Sequence, residues 1–322
     1  MDKTNLTILY NKVVGLTGFQ EDKKEKDWMP KLGPNDFRSV IRHGIYKGKK
    51  VVIKISPHED LVGIANNFRR YQKAGVSRPV LQVPAILRSG KIKGAQFLIQ
   101  TSAQGGTRIL PQYPLSTQEE KEEAATLYWN TVNNFPRFDF GEWAISDYFL
   151  ERIDKRFTHG RENGAVKSGF ITQQEKDKAA QIIFSNLQHL QVKPFFAHFA
   201  NTDIVKTEEG YFIWDASIVP KPEAAGIALW LWGATLYASY QLSANEWLKE
   251  IEKWIDVFTK FALKPHAENL RLKIRINFLE RLLGTLLVDL PLKRSPFQDF
   301  SDAEIKKATK VIRAVLAKTL QP

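Results

Sequence analysis

Residues 195–217 read FFAHFANTDIVKTEEGYFIWDAS, and the rest of the chain is best read outward from this stretch. It ends in a short hairpin. Ile204 and Val205 form an apolar pair, Glu208-Glu209-Gly210 is a turn signal, and Tyr211 to Trp214 is an aromatic and β-branched run. Polar groups gather where the hairpin begins and ends, with His198, Asn201 and Asp203 before it and Asp215 after it. Two carboxylates held near one imidazole would suit a hard metal ion with a proton acceptor beside it. The same residues also fit a surface hairpin with ordinary polar ends.

The chain has 322 residues, enough for one large domain or two smaller ones sharing an interface. Its 43% hydrophobic and 25% charged content is that of an ordinary folded protein. There is no cysteine, which excludes disulfides and cysteine-based zinc sites. The first residues carry an acid at position two and a broken apolar run, unlike a signal peptide. Ala224 to Ala238 is the most apolar stretch and is too short to span a membrane, so a cytoplasmic protein is expected. The net charge is +12, but the basic residues are interleaved with acids, as in Glu21-Asp22-Lys23-Lys24-Glu25-Lys26-Asp27. With no RNA-binding signature or arginine-rich tail, nucleic acid is not the expected partner.

Residues 1 to 30 read as an extension and charged linker, with Leu6 to Val14 fitting a short helix or a strand. Strand signals follow at Phe37 to Arg42, Val51 to Ile55, Val83 to Arg88 and Ala95 to Thr101, the last two separated by a turn at Ser89-Gly90. Between them Asp60 to Lys73 has Leu61, Ile64, Phe68 and Tyr71 on one helical face. This makes residues 31–105 a small β-rich unit carrying one helix. Helices dominate residues 106–322. Four capping boxes are expected, pairing Ser116 with Glu119, Thr172 with Glu175, Ser243 with Glu246, and Ser301 with Glu304. Apolar stripes such as Trp247, Ile251, Trp254, Ile255 and Phe258 read as core. The hairpin is the one clear β element expected in this helical half, which places it where the halves meet, and such clefts hold ligands.

A small β-rich N-lobe, a larger helical C-lobe and a hairpin at their junction resemble the two-lobed α+β protein-kinase-like fold, closest to aminoglycoside phosphotransferases and choline kinases. Val51-Val52-Ile53-Lys54 is similar to the V-A-I-K strand, which implies that Lys54 contacts nucleotide phosphates. Aligning Asp203-Ile204-Val205 with the N-I-L of the catalytic loop puts Asp215 at the metal-binding Asp after the hairpin. The same register puts His198 in the slot of the catalytic Asp and Phe196 in that of the preceding His. The helical stretch Glu175 to Leu190 and the segment Phe149 to Ile153 suit the small-molecule branch. The resemblance spans residues 31–320, by order of elements more than by identity, and implies ATP and Mg²⁺ as cofactors, with Asp203 and Asp215 as metal ligands.

Several positions depart from the pattern. His198 replaces an Asp, though a neutral imidazole still accepts a proton. Asp203 replaces an Asn. Only Gly33 stands in the glycine-rich loop, in Leu32-Gly33-Pro34-Asn35-Asp36-Phe37, where several converging N–H groups are needed to cradle phosphate. The helix after Lys54 has Asn66 or Asn67 where that lysine's glutamate partner belongs, and Glu59 stands ahead of that position, near the helix start. The buried Asp expected near Gly226 is missing. The residues support three readings: a pseudokinase-like binding or regulatory protein with a weakened or inactive transfer site; an active ATP/Mg²⁺-dependent phosphotransferase acting on a small hydroxyl substrate with His198 as base; or a helical interaction or nucleic-acid-binding protein. The partner, small molecule or protein, is not named by the sequence. Trp230 and Trp232 fit either a substrate pocket or the core.

Overall fold

The computed structural model describes residues 1–24, 29–33, 36–73, 81–103, 107–108, 116–136, 138, 144–200, 203–214, 217–238, 242–294 and 297–321. The chain opens with helix α1 (Lys3–Thr17), then β1 (Gln20–Glu21), the short pair β2 (Lys31–Gly33) and β3 (Asp36–Phe37), β4 (Val40–Tyr46) and β5 (Lys49–Ser56). Helix α2 (Leu61–Lys73) precedes β6 (Leu81–Gln82), β7 (Ile86–Ile92), β8 (Ala95–Thr101) and β9 (Thr107–Arg108). Five of these strands form an antiparallel sheet in the order β1-β4-β5-β8-β7. Its two faces are covered differently. Leu6, Leu9, Tyr10 and Val13 of α1 pack with Val51, Ile53 and Ile55 of β5 and with Phe97 and Ile99 of β8. Leu61 and Ala65 of α2 pack with Leu98 on the other face. Because strand side chains alternate, the face that buries Ile53 and Ile55 under α1 leaves Lys54 beside Leu98 on the α2 side. The segment that fitted either helix or strand is thus a helix, and the first 21 residues are built into this lobe's core and sheet.

Two turns place glycine where φ is positive. Lys47-Gly48 joins β4 to β5 with φ of 50° and 73°, and Lys93-Gly94 joins β7 to β8 with φ of 40° and 83°. The second turn lies beyond the expected Ser89-Gly90. Gly90 is instead inside β7 opposite Phe97, and a Cβ there would come within 2.8 Å of the Phe97 ring.

The large lobe begins with α3 (Gln118–Asn133), α4 (Ile145–Glu162) and α5 (Gln173–Phe184). Strands β10 (Val192–Phe196), β11 (Ile204–Thr207), β12 (Gly210–Ile213) and β13 (Ile218–Pro222) follow, then α6 (Ala225–Ala238), α7 (Ala244–Lys260), α8 (Lys264–Ala267), α9 (Leu270–Gly284) and α10 (Asp302–Thr319). This is the two-lobed α+β architecture that the order of elements implied. Three of the four expected capping boxes form as read. The fourth shifts by one residue. The run Ser116-Thr117-Gln118-Glu119-Glu120 offers two registers, and Thr117 pairs with Glu120 while Ser116 is buried with its carbonyl accepting from Lys121 Nζ at 2.6 Å.

The hairpin is not the sole β element of this half. β10 and β13 form a five-pair antiparallel ribbon. Prolines at 194 and 220 face each other in it, and they mask the strand signal because proline cannot donate to a ladder. The hairpin itself, β11–β12, is the centre of a four-stranded sheet in the order β6-β12-β11-β9. Its outer strands come from chain that precedes α3, so the hairpin does lie at the junction of the lobes. Around it α6 and α9 pack closely, and Trp230, Trp247, Trp254 and Phe258 are buried in the core. Trp230 stacks on Trp254 with centroids 6.2 Å apart. Trp232 is fixed by a hydrogen bond from its Nε1 to Thr285 Oγ1 at 2.6 Å. Among the described residues no helix is long and apolar enough to cross a membrane.

Candidate functional site

Lys54 is held near the end of β5 by a carboxylate. Its Nζ lies 3.1 Å from Glu59 Oε2 and 3.3 Å from Oε1. The expectation that Lys54 lacks its glutamate because α2 carries asparagines is therefore overturned. The reason is local. Ser56 Oγ donates to Arg38 O at 2.7 Å and accepts from the N–H groups of His58 and Glu59, both at 3.1 Å. That Ser-centred turn folds the chain back on β5 before the helix starts, so a residue five positions on reaches the lysine. Glu59 also pairs with Arg38 at 2.6 Å, which fixes its orientation. Asn67 does a different job: its Nδ2 donates to Ile218 O at 3.3 Å and docks α2 on β13.

The hairpin mouth faces the same side of the sheet as Lys54. Asp203 donates its N–H to Ala200 O at 2.9 Å, and Trp214 donates its N–H to Asp203 O at 2.8 Å. Gln100 on β8, which shares the Lys54 face, donates from Nε2 to Trp214 O at 3.0 Å. His43 on β4 meets Trp214 edge to face at 6.5 Å. Ala197 donates to Ser217 O at 2.6 Å, tying the two ends of the loop together. His198 is half-buried, with Phe196 and Phe199, both buried, close to it in sequence. Asp203 therefore stands at the mouth of the hairpin, and His198 precedes it next to Ala197, whose N–H is bonded to Ser217 O. Asp215 and Asn201 lie outside the described residues. Among the described residues no three histidine or acidic side chains converge as a metal site.

Gly33 sits in β2 opposite Asp36, with a register shift between Lys31 and Gly33. The described groups around it are committed to protein partners. Phe37 donates its N–H to Met1 O at 2.9 Å and Arg38 to Pro30 O at 2.8 Å. Leu32 O accepts from Arg294 Nε at 2.7 Å, and Lys31 donates its N–H to Gln298 Oε1 at 3.3 Å. The amino terminus pairs with Asp36. A phosphate cradle needs N–H groups turned outward together, and those of Phe37 and Arg38 do not fit that role. The lysine end of a nucleotide site fits the residues present, whereas this part of the loop does not.

A second charged cluster was not foreseen. Glu280, only 5% exposed on α9, accepts from Arg152 Nε at 2.6 Å and lies 2.6 Å from Arg156 Nη2, with Arg281 at 3.9 Å. Burial alone would raise the carboxyl pKa, but Arg152, Arg156 and Arg281 outweigh it and hold it down at about 2. Room for Arg156 comes from Gly284, where a Cβ would stand 2.5 Å from the guanidinium carbon. Just beyond, Thr285–Asp289 widens into a π-turn, with Leu290 N–H donating to Thr285 O at 3.0 Å. The signal in the sequence was a single glutamate between Phe278-Leu279 and Leu282-Leu283.

No protein-family model matches the sequence, and no curated protein matches it. Solved structures do share the fold. The apo form of a thermostable mutant of aminoglycoside phosphotransferase APH(4)-Ia gives a TM-score of 0.58 at 11% identity, covering 96% of this chain and 98% of that one. Spectinomycin phosphotransferase APH(9)-Ia, in complex with ADP and spectinomycin, gives 0.56 at 10% identity, covering 100% and 99%. Ethanolamine kinase of Plasmodium vivax gives 0.52 at 12% identity, covering 94% and 81%. The chain thus shares its fold, over nearly its whole length, with these phosphotransferases and this ethanolamine kinase.

Proposed function

We propose that this chain is a nucleotide-binding, phosphotransferase-like protein whose transfer site is weakened or lost, so that binding rather than turnover is its main activity. The observation that carries this is the Lys54–Glu59 pair at 3.1 Å on the cleft face of β5. A lysine held by a carboxylate on a strand is the part of a kinase site that orients nucleotide phosphates. Its retention supports nucleotide binding, and the ADP in the complex of spectinomycin phosphotransferase agrees with that reading. In this proposal Lys54 holds phosphate, Gly33 borders it, and Asp203 with Asp215 holds Mg²⁺. The bound metal would supply charge neutralisation at the phosphates. His198 stands where a fixed negative charge is needed, and the N–H groups of Phe37 and Arg38 are already engaged. Loss of one major electrostatic contributor costs on the order of 100-fold in rate, which is why turnover is assigned the lesser role.

The test is thermal unfolding with ATP and MgCl₂. Saturating nucleotide should raise Tm by a few degrees, as about 2.7 kcal/mol at roughly 100 times Kd implies, and Lys54→Ala or Asp215→Asn should remove the rise. Unchanged Tm at millimolar nucleotide would overturn nucleotide binding. Steady ADP release with a hydroxylated acceptor, lost in His198→Ala, would overturn the assignment of a weakened site.

A further inference from the structure

Arg38 lies between β3 and β4, at the end of the stretch where a phosphate loop is expected. Its main chain is held on both sides. The N–H donates to Pro30 O at 2.8 Å, and the carbonyl accepts from Ser56 Oγ at 2.7 Å. Its side chain is held as well, with Nη2 2.6 Å from Glu59 Oε1. The Lys54 ammonium reaches that same oxygen at 3.3 Å, and Glu59 Oε2 at 3.1 Å. Guanidinium and ammonium therefore stand one carboxylate oxygen apart beside the cleft face of β5.

A guanidinium is a planar fork with more than one donor edge, and an edge takes two oxygens of a carboxylate or phosphate side by side. The Glu59 carboxylate faces one edge only. Glu59 is the one described residue that pairs with the Arg38 side chain, which is 43% exposed. A second edge therefore keeps its donors for a ligand. Asp36, two residues earlier, is turned elsewhere: it pairs with the amino terminus and lies 3.9 Å from His58 Nε2. Glu59 thus does for Arg38 what it does for Lys54, fixing the direction of a cation that still meets solvent. The main chain here offers less. The N–H groups of Phe37 and Arg38 are spent on Met1 O and Pro30 O, so phosphate oxygens gain no donor from them.

We propose that Arg38 is a second phosphate-binding residue of the Lys54 site, its side chain playing the part that the engaged N–H groups of Phe37 and Arg38 cannot. This rests on the reading of Lys54 as a phosphate-binding lysine. The unspent edge of the guanidinium holds two non-bridging oxygens of one phosphoryl group, while the Lys54 ammonium meets a neighbouring one. Recognition then follows the phosphate chain and is indifferent to the base. Lysine at position 38 would keep the charge and lose the fork.

The test titrates the whole chain by calorimetry with ATP and MgCl₂, with inorganic tripolyphosphate, and with adenosine, which carries no phosphate. Both phosphate probes should bind. Arg38→Gln should weaken each at least about tenfold, the loss expected for hydrogen bonds between charged groups, and leave adenosine unchanged. Arg38→Lys should restore only part of that affinity, although it still pairs with Glu59. A purely structural role for Arg38 would loosen all three probes alike and would be rescued in full by Arg38→Lys. Circular dichroism verifies folding of each variant, and Arg38→Lys carries the test by itself should Arg38→Gln fail to fold. Tripolyphosphate binding that is lost in Arg38→Gln, with no response to ATP in the unaltered chain, would overturn the nucleotide reading and support this one. Phosphate binding indifferent to Arg38→Gln, a loss shared equally by adenosine, full rescue by Arg38→Lys, or no binding of either phosphate probe would overturn the proposal.

Discussion

Each lobe contains a mostly buried carboxylate surrounded by cations, and the two clusters are built in opposite ways. In the small lobe Glu59 meets Lys54 across five residues of chain, and the turn that joins them is closed by Ser56. In the large lobe Glu280 meets Arg152 across 128 residues, and the pairing exists only once α4 and α9 have packed. The first pair borders a cleft and leaves the Lys54 side chain 18% exposed. The second is sealed by Gly284 and the π-turn, with nothing left for it to do but hold two helices together. A charge pair kept local is free to serve a ligand, because the fold does not depend on it. A charge pair spanning the lobe is structural.

Three measurements would break or sharpen that contrast. The largest effect belongs to Glu280→Ala. Removing the carboxylate strands Arg152, Arg156 and Arg281 together, and a broken buried pair costs about 3–5 kcal/mol. Denaturant unfolding should show that loss; a change under about 1 kcal/mol would mean the cluster is not structural. Acid should have a slightly smaller effect through the same residue. Its folded pKa, about 2, lies below the ordinary value of 4.5, so the ionised form is favoured by folding. That stabilisation is complete above pH 4.5 and is lost as pH falls towards 2, amounting to about 3 kcal/mol. Glu280→Ala should flatten the acid limb of the stability profile by that amount. The smallest effect is expected for Glu59→Gln, about 1 kcal/mol, because Arg38 is exposed and Lys54 can reach water. The same variant should nevertheless remove most of the nucleotide-induced rise in Tm. If stability falls as far as in Glu280→Ala, the local pair is structural too.

Legibility in the sequence divides along the same line between local and distant contacts. The strand that carries Lys54 was legible because Val51, Ile53 and Ile55 alternate with it and bury their own face. The hairpin was legible because Gly210, at φ 121°, closes a turn between two apolar runs. Glu59 was passed over because its partner was sought on a helix, whereas a serine-centred turn supplied it. The β10–β13 ribbon was hidden by its prolines, and the first capping box by two overlapping registers one residue apart. Arg152, Arg156 and Glu280 could not be matched at all, since nothing in a chain records which distant helix faces will meet.

The four-stranded sheet at the junction has a mechanical consequence. Leu81 and Gln82 pair with Tyr211 and Phe212 on one side of the hairpin, while Thr107 and Arg108 pair with Lys206 and Val205 on the other. The β6 pairing thus joins small-lobe main chain directly to the hairpin of the large lobe. Gln100 to Trp214 O, Asn67 to Ile218 O and Arg294 to Leu32 O cross between the lobes away from that sheet, so sliding, twisting or swinging one lobe over the other would each break hydrogen bonds. The cleft beside Lys54 is therefore clasped at several separate points, and widening it would cost those bonds one by one.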